Sequence, residues 1–184
     1  MKIKTKLVDN CPEFTKLEIE NYDAWNLDST LAPIILALLK NFKGKYNGAP
    51  HVENCDVPEH LQAPPGFDTA DSSDCDENYF ARFGFILDEM IWAFEQIVNK
   101  PESEEQFHHG NWHRLWQAID ADGHKIGEPF ELGDGSEYPE AEHFEMIKAD
   151  DDTSWFDRDG FKAHQERVVR GTTLFGKYFQ SLWW

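Results

Sequence analysis

Apolar residues recur at helical spacing in three stretches of the chain. Over residues 29–43, Leu31, Ile34, Ile35, Leu38, Leu39 and Phe42 fall on one stripe. This predicts a first helix. Asp28, Ser29 or Thr30 can cap it, since a side-chain oxygen there accepts from the unpaired N–H groups of the first turn. Pro33 fits only within that turn, which favours Ser29 or Thr30. Lys40, Lys43 and Lys45 suit the negative end of the helix dipole, and Gly44 suits the stop. A second helix is expected over 76–99, with Leu87, Met90, Ile91, Phe94, Ile97 and Val98 on its apolar face. Asp74 and Asp76 suit its start, and Pro101 marks its end. A third is expected over 160–183, with Phe161, His164, Val168, Gly171, Phe175, Phe179 and Leu182 on one face and Asp157 or Asp159 as cap. Gly171 and Gly176 each cost this helix about 1 kcal/mol relative to alanine. Gly171 lies on the apolar face, where the close approach of another helix would explain it.

The remaining pattern is extended or irregular. Residues 2–22 read as two extended runs separated at Cys11-Pro12. "WHRLWQAI" and "KIGEPFEL" flank the turn-forming "DADG", so 111–132 predicts a β-hairpin, and "HFEMI" a further short strand. Residues 47–77 are rich in Pro, Gly, Asp and Ser and read as a long acidic loop, of a length often functional or mobile. The expected architecture is a single α+β domain over 1–184. Three main helices pack with a small antiparallel sheet or hairpin, which lies in the 101–155 region.

Charge narrows the class of partner. The formal charge is −18, and residues 51–159 hold 28 acidic side chains against 6 basic ones. Direct binding of a phosphate backbone is therefore disfavoured. The acidity serves solubility, and also suits a basic partner surface or mimicry of nucleic acid towards a host protein. Cys11, Cys55 and Cys75 are odd in number and lack CxxC spacing, which reads as free thiols in a reducing cytoplasm. The basic start "MKIKTKLVDN" has no apolar core of a signal peptide, and "LAPIILALL" is too short to span a bilayer, so no membrane association is expected.

The second helix is aromatic even on its polar side. Phe85 and Trp92 lie among Asp88, Glu89, Glu95 and Gln96, and Asp88 and Glu95 stack seven residues apart with Trp92 beside them. Either another part of the chain covers this face or it meets a ligand or partner; Phe85, Asp88, Trp92 and Glu95 form the candidate binding surface. Other chemistry is weaker. "FHHGNWH" spaces His109 and His113 four apart beside His108, but Gly110 and Asn111 argue against a metal-holding helix. "DADGHKIGEPFE" places Asp120, Asp122 and Glu131 as in a calcium loop, yet Lys125 stands where glycine is required, and a hairpin turn accounts for the same residues. Asp28, Asp88 and Glu95 with His164 would bind a divalent metal if they converged. Seven tryptophans, Trp183 and Trp184 among them, offer either core packing or ring stacking. There is no P-loop, GxGxxG or GxSxG.

Several segments in order, "YDAWNLDSTLAPIILALLKNFKGKYNGAPHV", "DVPEHL", "APP", "DENYFARFGFILDEMIWAFEQ" and "HQERVVRGTTLFGKYFQSLW", together resemble a family of uncharacterised small proteins encoded by large tailed bacteriophages. The match loosens between about 101 and 155. It implies a phage origin and expression in the host cytoplasm, and brings no catalytic residue with it. Family members often read Asp-His-Thr-Leu where this chain has Asp28-Ser29-Thr30-Leu31, so a metal ligand at that histidine does not carry over. The leading expectation is a non-enzymatic accessory protein that binds a host protein or sequesters a small host molecule such as a defence signal. A metal-dependent hydrolase or nucleotide-processing enzyme using Asp88, Glu95 and His164 is the alternative, and a virion or assembly component a further one. Self-association into a homo-oligomer is compatible with each.

Overall fold

A computed structural model of the chain describes residues 2–8, 11–66, 75–131 and 137–183. In chain order the elements are β1 (Lys2–Val8), β2 (Cys11–Glu18), α1 (Asn21–Trp25), α2 (Leu27–Lys43), α3 (Tyr79–Val98), α4 (Lys100–Glu105), β3 (His108–His109), β4 (Arg114–Ile119), β5 (Lys125–Phe130), β6 (His143–Lys148), β7 (Trp155–Phe156) and α5 (Arg158–Tyr178). All strand pairings among them are antiparallel, which makes the fold α+β. The contacts gather into two compact units, residues 1–103 with 162–184, and residues 104–161. No helix among the described residues is long and apolar enough to cross a membrane.

In the first unit, β1 and β2 pair antiparallel, from Val8 with Cys11 at one end to Lys2 with Glu18 at the other. The break between the two runs therefore falls before Cys11, and Pro12 lies inside a strand. A two-stranded ladder has only edges, where proline's missing N–H is tolerated. The chain then turns helical at α1, earlier than the sequence pattern implied. α2 begins at Leu27 after the cap position Asn26, so Asp28, Ser29 and Thr30 lie inside the helix and Pro33 in its second turn. Thr30 donates instead to the Asp23 carbonyl, 3.1 Å away. The core stripe of α2 is also rotated from the expected one: Ala32, Ile35, Leu36, Leu39 and Phe42 face the core, while Leu31 and Leu38 are exposed.

α3 is the centre of this unit. Phe83, Ile86, Leu87, Met90 and Ala93 are fully buried, and burial of each large side chain contributes about 1.5–3 kcal/mol. Val98, expected on this face, is exposed at the helix end. Pro101 does not simply stop α3; it occupies the first turn of α4, where its fixed φ suits helix initiation. α5 crosses α3 closely: a Cβ built on Gly171 would lie 2.4 Å from Ala93 Cβ and 2.5 Å from the Glu89 carbonyl oxygen. Asp157 caps α5 by accepting from the Gly160 N–H at 2.9 Å. α5 buries Gly171, Leu174 and Tyr178, and Phe179, expected inside, is exposed in the short 3-10 turn that follows.

The segment after α2 is irregular but packed. Val52, Val57 and Ala63 are buried, and two short 3-10 turns, Asn54–Asp56 and Glu59–Leu61, space them. The Asn54 side chain accepts from the Ala63 N–H at 2.7 Å and fastens the segment across itself. The expected loop is thus anchored over residues 47–66, where buried apolar side chains recur. Asp74 and the rest of residues 67–74, residues 132–136, the Cys11 side chain and Trp184 lie outside what is described.

In the second unit, β4 is the central strand of a three-stranded sheet ordered β5-β4-β6, and β3 pairs with β7. The hairpin expected over 111–132 is β4–β5, and "HFEMI" is β6. Asp120 closes the hairpin turn, its carboxylate accepting from the Asp122 and His124 N–H groups at 2.9 and 2.8 Å, with Gly123 at φ +82°.

Candidate functional site

The polar side of α3 is divided between two neighbours. Towards α2, Asp88 pairs with Lys43, and Glu95 with Lys40 at 2.7 Å. Towards α5, the Arg167 guanidinium lies 3.9 Å from the centre of the Trp92 ring, and His164 meets the same indole edge-on at 5.3 Å. Arg170 lies 5.6 Å from the Phe85 ring. Both arginines also reach Glu89, which is buried: Arg167 Nη2 at 2.7 Å and Arg170 Nη1 at 3.8 Å. The spacing of α3 explains the division. Glu89 faces the α5 crossing marked by Gly171, while Asp88 and Glu95 fall on the opposite flank.

The four residues singled out in the sequence are therefore on one continuous strip, but not in one cluster. Phe85 and Trp92 are half-buried under α5 arginines, and Asp88 remains 59% exposed although paired. A planar guanidinium held both by a buried carboxylate and by an indole face is oriented twice over. The donor atoms of Asp88, Glu95 and His164 are not among the described sets that converge; each acid has a lysine and the imidazole packs on Trp92. Asp28, at the start of α2, is exposed.

Two converging sets do occur among the described residues. Asp120, Asp122 and His124 are the hairpin turn already described. Glu53, Cys55 and Asp56 bring their donor atoms within 4.8 Å of one another, but a cation from the chain is already bound to two of them. Lys177 Nζ lies 2.8 Å from Glu53 and 2.6 Å from Asp56, and the Tyr178 hydroxyl donates to Asp56 at 2.6 Å. Burial works against the Lys177 ammonium, but its hydrogen bonds to Asp56 and Glu53 outweigh that and hold its pKa above the ordinary lysine value. Burial likewise works against the Asp56 carboxylate, and the bonds from Lys177 and Tyr178 keep it ionised below the usual range. The Cys55 thiol is pushed up, first by its hydrogen bond to Glu53 and then by burial, so it is protonated and a poor nucleophile at neutral pH. The cluster pins residues 53–56 to α5.

A third arrangement encloses an arginine. Arg82 is 1% exposed and makes two bonds to Asp76, Nη1 to Oδ2 at 2.9 Å and Nη2 to Oδ1 at 2.8 Å, with a third to the Leu61 carbonyl at 3.1 Å. Hydrogen bonding to Arg82 holds the Asp76 carboxyl below the usual range. A cleft of about 450 Å³ opens beside it, lined in part by Asn54, Gln62 and Asn78. Their side chains are already bonded to the Ala63 N–H, the Val57 carbonyl and the His60 carbonyl.

In the second unit the histidines are divided as well. His108 and His109 pack against Phe156 and Trp155 on the β3–β7 pair. His113 is bridged by Glu131 at 2.9 Å and by Asp151. These two carboxylates, Glu131 foremost, raise the His113 pKa above its usual value of about 6.5. The attraction is therefore present below that value and lost as pH rises through the elevated one. An NMR titration is expected to place the His113 midpoint above that of a free imidazole, and Glu131→Gln to bring it back down. A midpoint unmoved by Glu131→Gln would contradict the assignment.

Sequence spacing gave no sign of the Lys177–Asp56 contact, whose partners are 121 residues apart. Arg82 did carry a signal: it shares a helix face with Ile86 and Ala93, so its charge had to find a partner inside. No protein-family model, curated protein or solved structure matches the chain.

Proposed function

We propose that the chain is a non-enzymatic phage accessory protein that acts in the infected cell by binding a host protein through the strip of α3 that carries Phe85, Asp88, Trp92 and Glu95. The phage setting rests on the resemblance of the segments quoted above. The observation that carries the binding role is the clamp on Trp92. Its indole is held by Arg167, which is itself tied to buried Glu89, and beside it the Lys43–Asp88 and Lys40–Glu95 pairs stand at the surface. Tryptophan and arginine dominate the energetics of protein interfaces. Side chains already ordered lose little entropy on association. Alternating exposed charges around them supply specificity and association rate more than affinity.

The competing readings have less support. The cleft beside Asp76 would suit a small molecule, but its amides are turned to the backbone. A metal at Asp88 and Glu95 would have to displace two lysines.

Affinity capture from bacterial extract, followed by titration of the purified captured protein, tests the proposal. Asp88→Lys with Glu95→Lys is expected to weaken binding about tenfold or more. A captured protein that binds the double variant as tightly as the wild type, or the capture of none, would overturn it. Elemental analysis after chelator-free purification addresses the alternative: a stoichiometric metal lost in Glu95→Ala would replace this reading with the hydrolytic one.

A further inference from the structure

β4 is the middle strand of the three-stranded sheet, so β5 and β6 are its edges. An edge strand presents unpaired N–H and C=O groups, and folds blunt it with proline, bulges, lysine or cover. β5 is blunted. It holds Pro129, its register with β4 breaks between Trp116 and Ala118, and Tyr138 lies against Gly127 and donates to the Glu128 carbonyl at 3.1 Å. β6, His143–Lys148, is not. It has no proline and keeps an unbroken register with β4. Its one lysine, Lys148, sits at its end and is held by the Ser154 carbonyl at 2.8 Å.

Ala149 donates to the His113 carbonyl, which fixes the phase of the β4–β6 ladder. Antiparallel bonding alternates along a strand. Glu145 and Ile147 therefore turn their backbone groups to β4, and Phe144, Met146 and Lys148 turn theirs outward. Among the described residues, no group bonds to these from the outer side. Phe144 and Met146 are also 37% and 53% exposed. Their side chains stand on one face of the sheet and that of Glu145 on the other.

Charge selects what pairs with this edge. Glu142 precedes β6 and Asp150 follows it. Both are exposed, and among the described residues neither makes an ion pair within the chain. Residues 104–161 hold 16 acidic side chains against 4 basic ones. Strand addition by a second copy would set this surplus against itself, whereas a basic segment is attracted to it.

We propose that the free edge of β6 takes up an extended basic segment of a partner protein, which adds a fourth strand to the β5-β4-β6 sheet. The period of two dictates the segment's pattern: apolar residues beside Phe144 and Met146, basic ones beside Glu145 and at the ends, near Glu142 and Asp150. The proposal does not rest on host-protein binding through α3.

The probe is a capped octapeptide alternating lysine and valine, titrated into the full chain at low salt. NMR is expected to show it bind, with the amide protons of Phe144, Met146 and Lys148 slowed in exchange. The glutamate–valine counterpart is expected not to bind. Methylating the valine amide nitrogens keeps every side chain but removes the donors that face β6, and is expected to weaken binding by about tenfold or more. Met146→Pro removes an outward N–H and no bond to β4, so it is expected to keep the wild-type circular dichroism and to weaken binding by a similar factor. Glu142→Lys with Asp150→Lys, and added salt, are expected to weaken it as well. A wild-type chain that does not bind the lysine–valine peptide would overturn the proposal. So would undiminished affinity for the methylated peptide or of a folded Met146→Pro variant, or binding indifferent to both the acid reversals and salt. A chain that dimerises alone, and loses the dimer in Met146→Pro, would make a second copy the occupant and overturn it too.

Discussion

Asp76→Asn is expected to destabilise the protein by about 3–5 kcal/mol, the usual cost of removing one partner from a buried ion pair. The reason is the position of Arg82. Its guanidinium is almost completely enclosed, and two of its three hydrogen bonds end on the Asp76 carboxylate. With a neutral amide in that place, a full positive charge stays buried with the Leu61 carbonyl and one amide oxygen for company. The melting temperature is expected to fall by on the order of 10 °C for a chain of this length. Arg82→Met in the Asp76→Asn background is expected to recover part of the loss, since it removes the orphaned charge. The double-mutant cycle would then show strong coupling. A loss below about 1 kcal/mol, or simple additivity, would contradict this account.

The same pair has a pH signature. The Asp76 pKa is lowered in the folded chain, so its contribution is present above the unfolded aspartate value of about 3.9 and is lost as pH falls through the folded value. Wild type and Asp76→Asn should therefore converge in stability as the solution is acidified. Divergence on acidification would reverse the sign and exclude the ion pair as the cause.

Gly171→Ala is expected to destabilise and Gly176→Ala to stabilise, although both place alanine in the same exposed-to-buried helix, α5. Intrinsic propensity favours alanine at each by about 1 kcal/mol. At Gly176 nothing lies within 4 Å of the added Cβ, so that gain is realised. At Gly171 the Cβ would meet the Glu89 carbonyl oxygen and Ala93 Cβ at distances no real contact tolerates, and one of these is backbone. α3 and α5 would have to separate, at a typical overpacking cost of about 1–3 kcal/mol or more. The separation would also draw Arg167 from Trp92 and Glu89, so the Gly171 variant should lose the clamp on which the proposed binding surface depends along with stability. Chemical denaturation of the two variants side by side checks the opposite signs; a shift in the same direction for both would undo the argument.

These sites differ in how visible they were in the residues. Gly171 was legible, because a glycine on the apolar stripe of a helix has few other uses. The strip of Phe85, Asp88, Trp92 and Glu95 was legible as an anomaly, since period alone places two rings among acids. Its partners were not. Lys40 and Lys43 read as dipole-compensating residues of α2, no pattern along the chain pointed Arg167 and Arg170 at this strip, and only the packing of three helices brings them to α3. The expected stripe of α2 merged two stripes into one. Leu31 and Leu38 are as hydrophobic as Leu39, and a helical period of 3.6 cannot tell a side chain that meets its own core from one that faces outwards.

Local chemistry in the chain was enough to set the existence of α2, α3 and α5, the β4–β5 hairpin with its turn, and a cap for α5 at Asp157 or Asp159. Each depends on residues within a few positions of one another. Which charges are buried, which acid meets which base and which leucines remain outside were decided only by the tertiary structure. Those outcomes depend on contacts such as Asp56 with Lys177, made across more than a hundred residues, and no period or propensity along the chain encodes a distance of that kind.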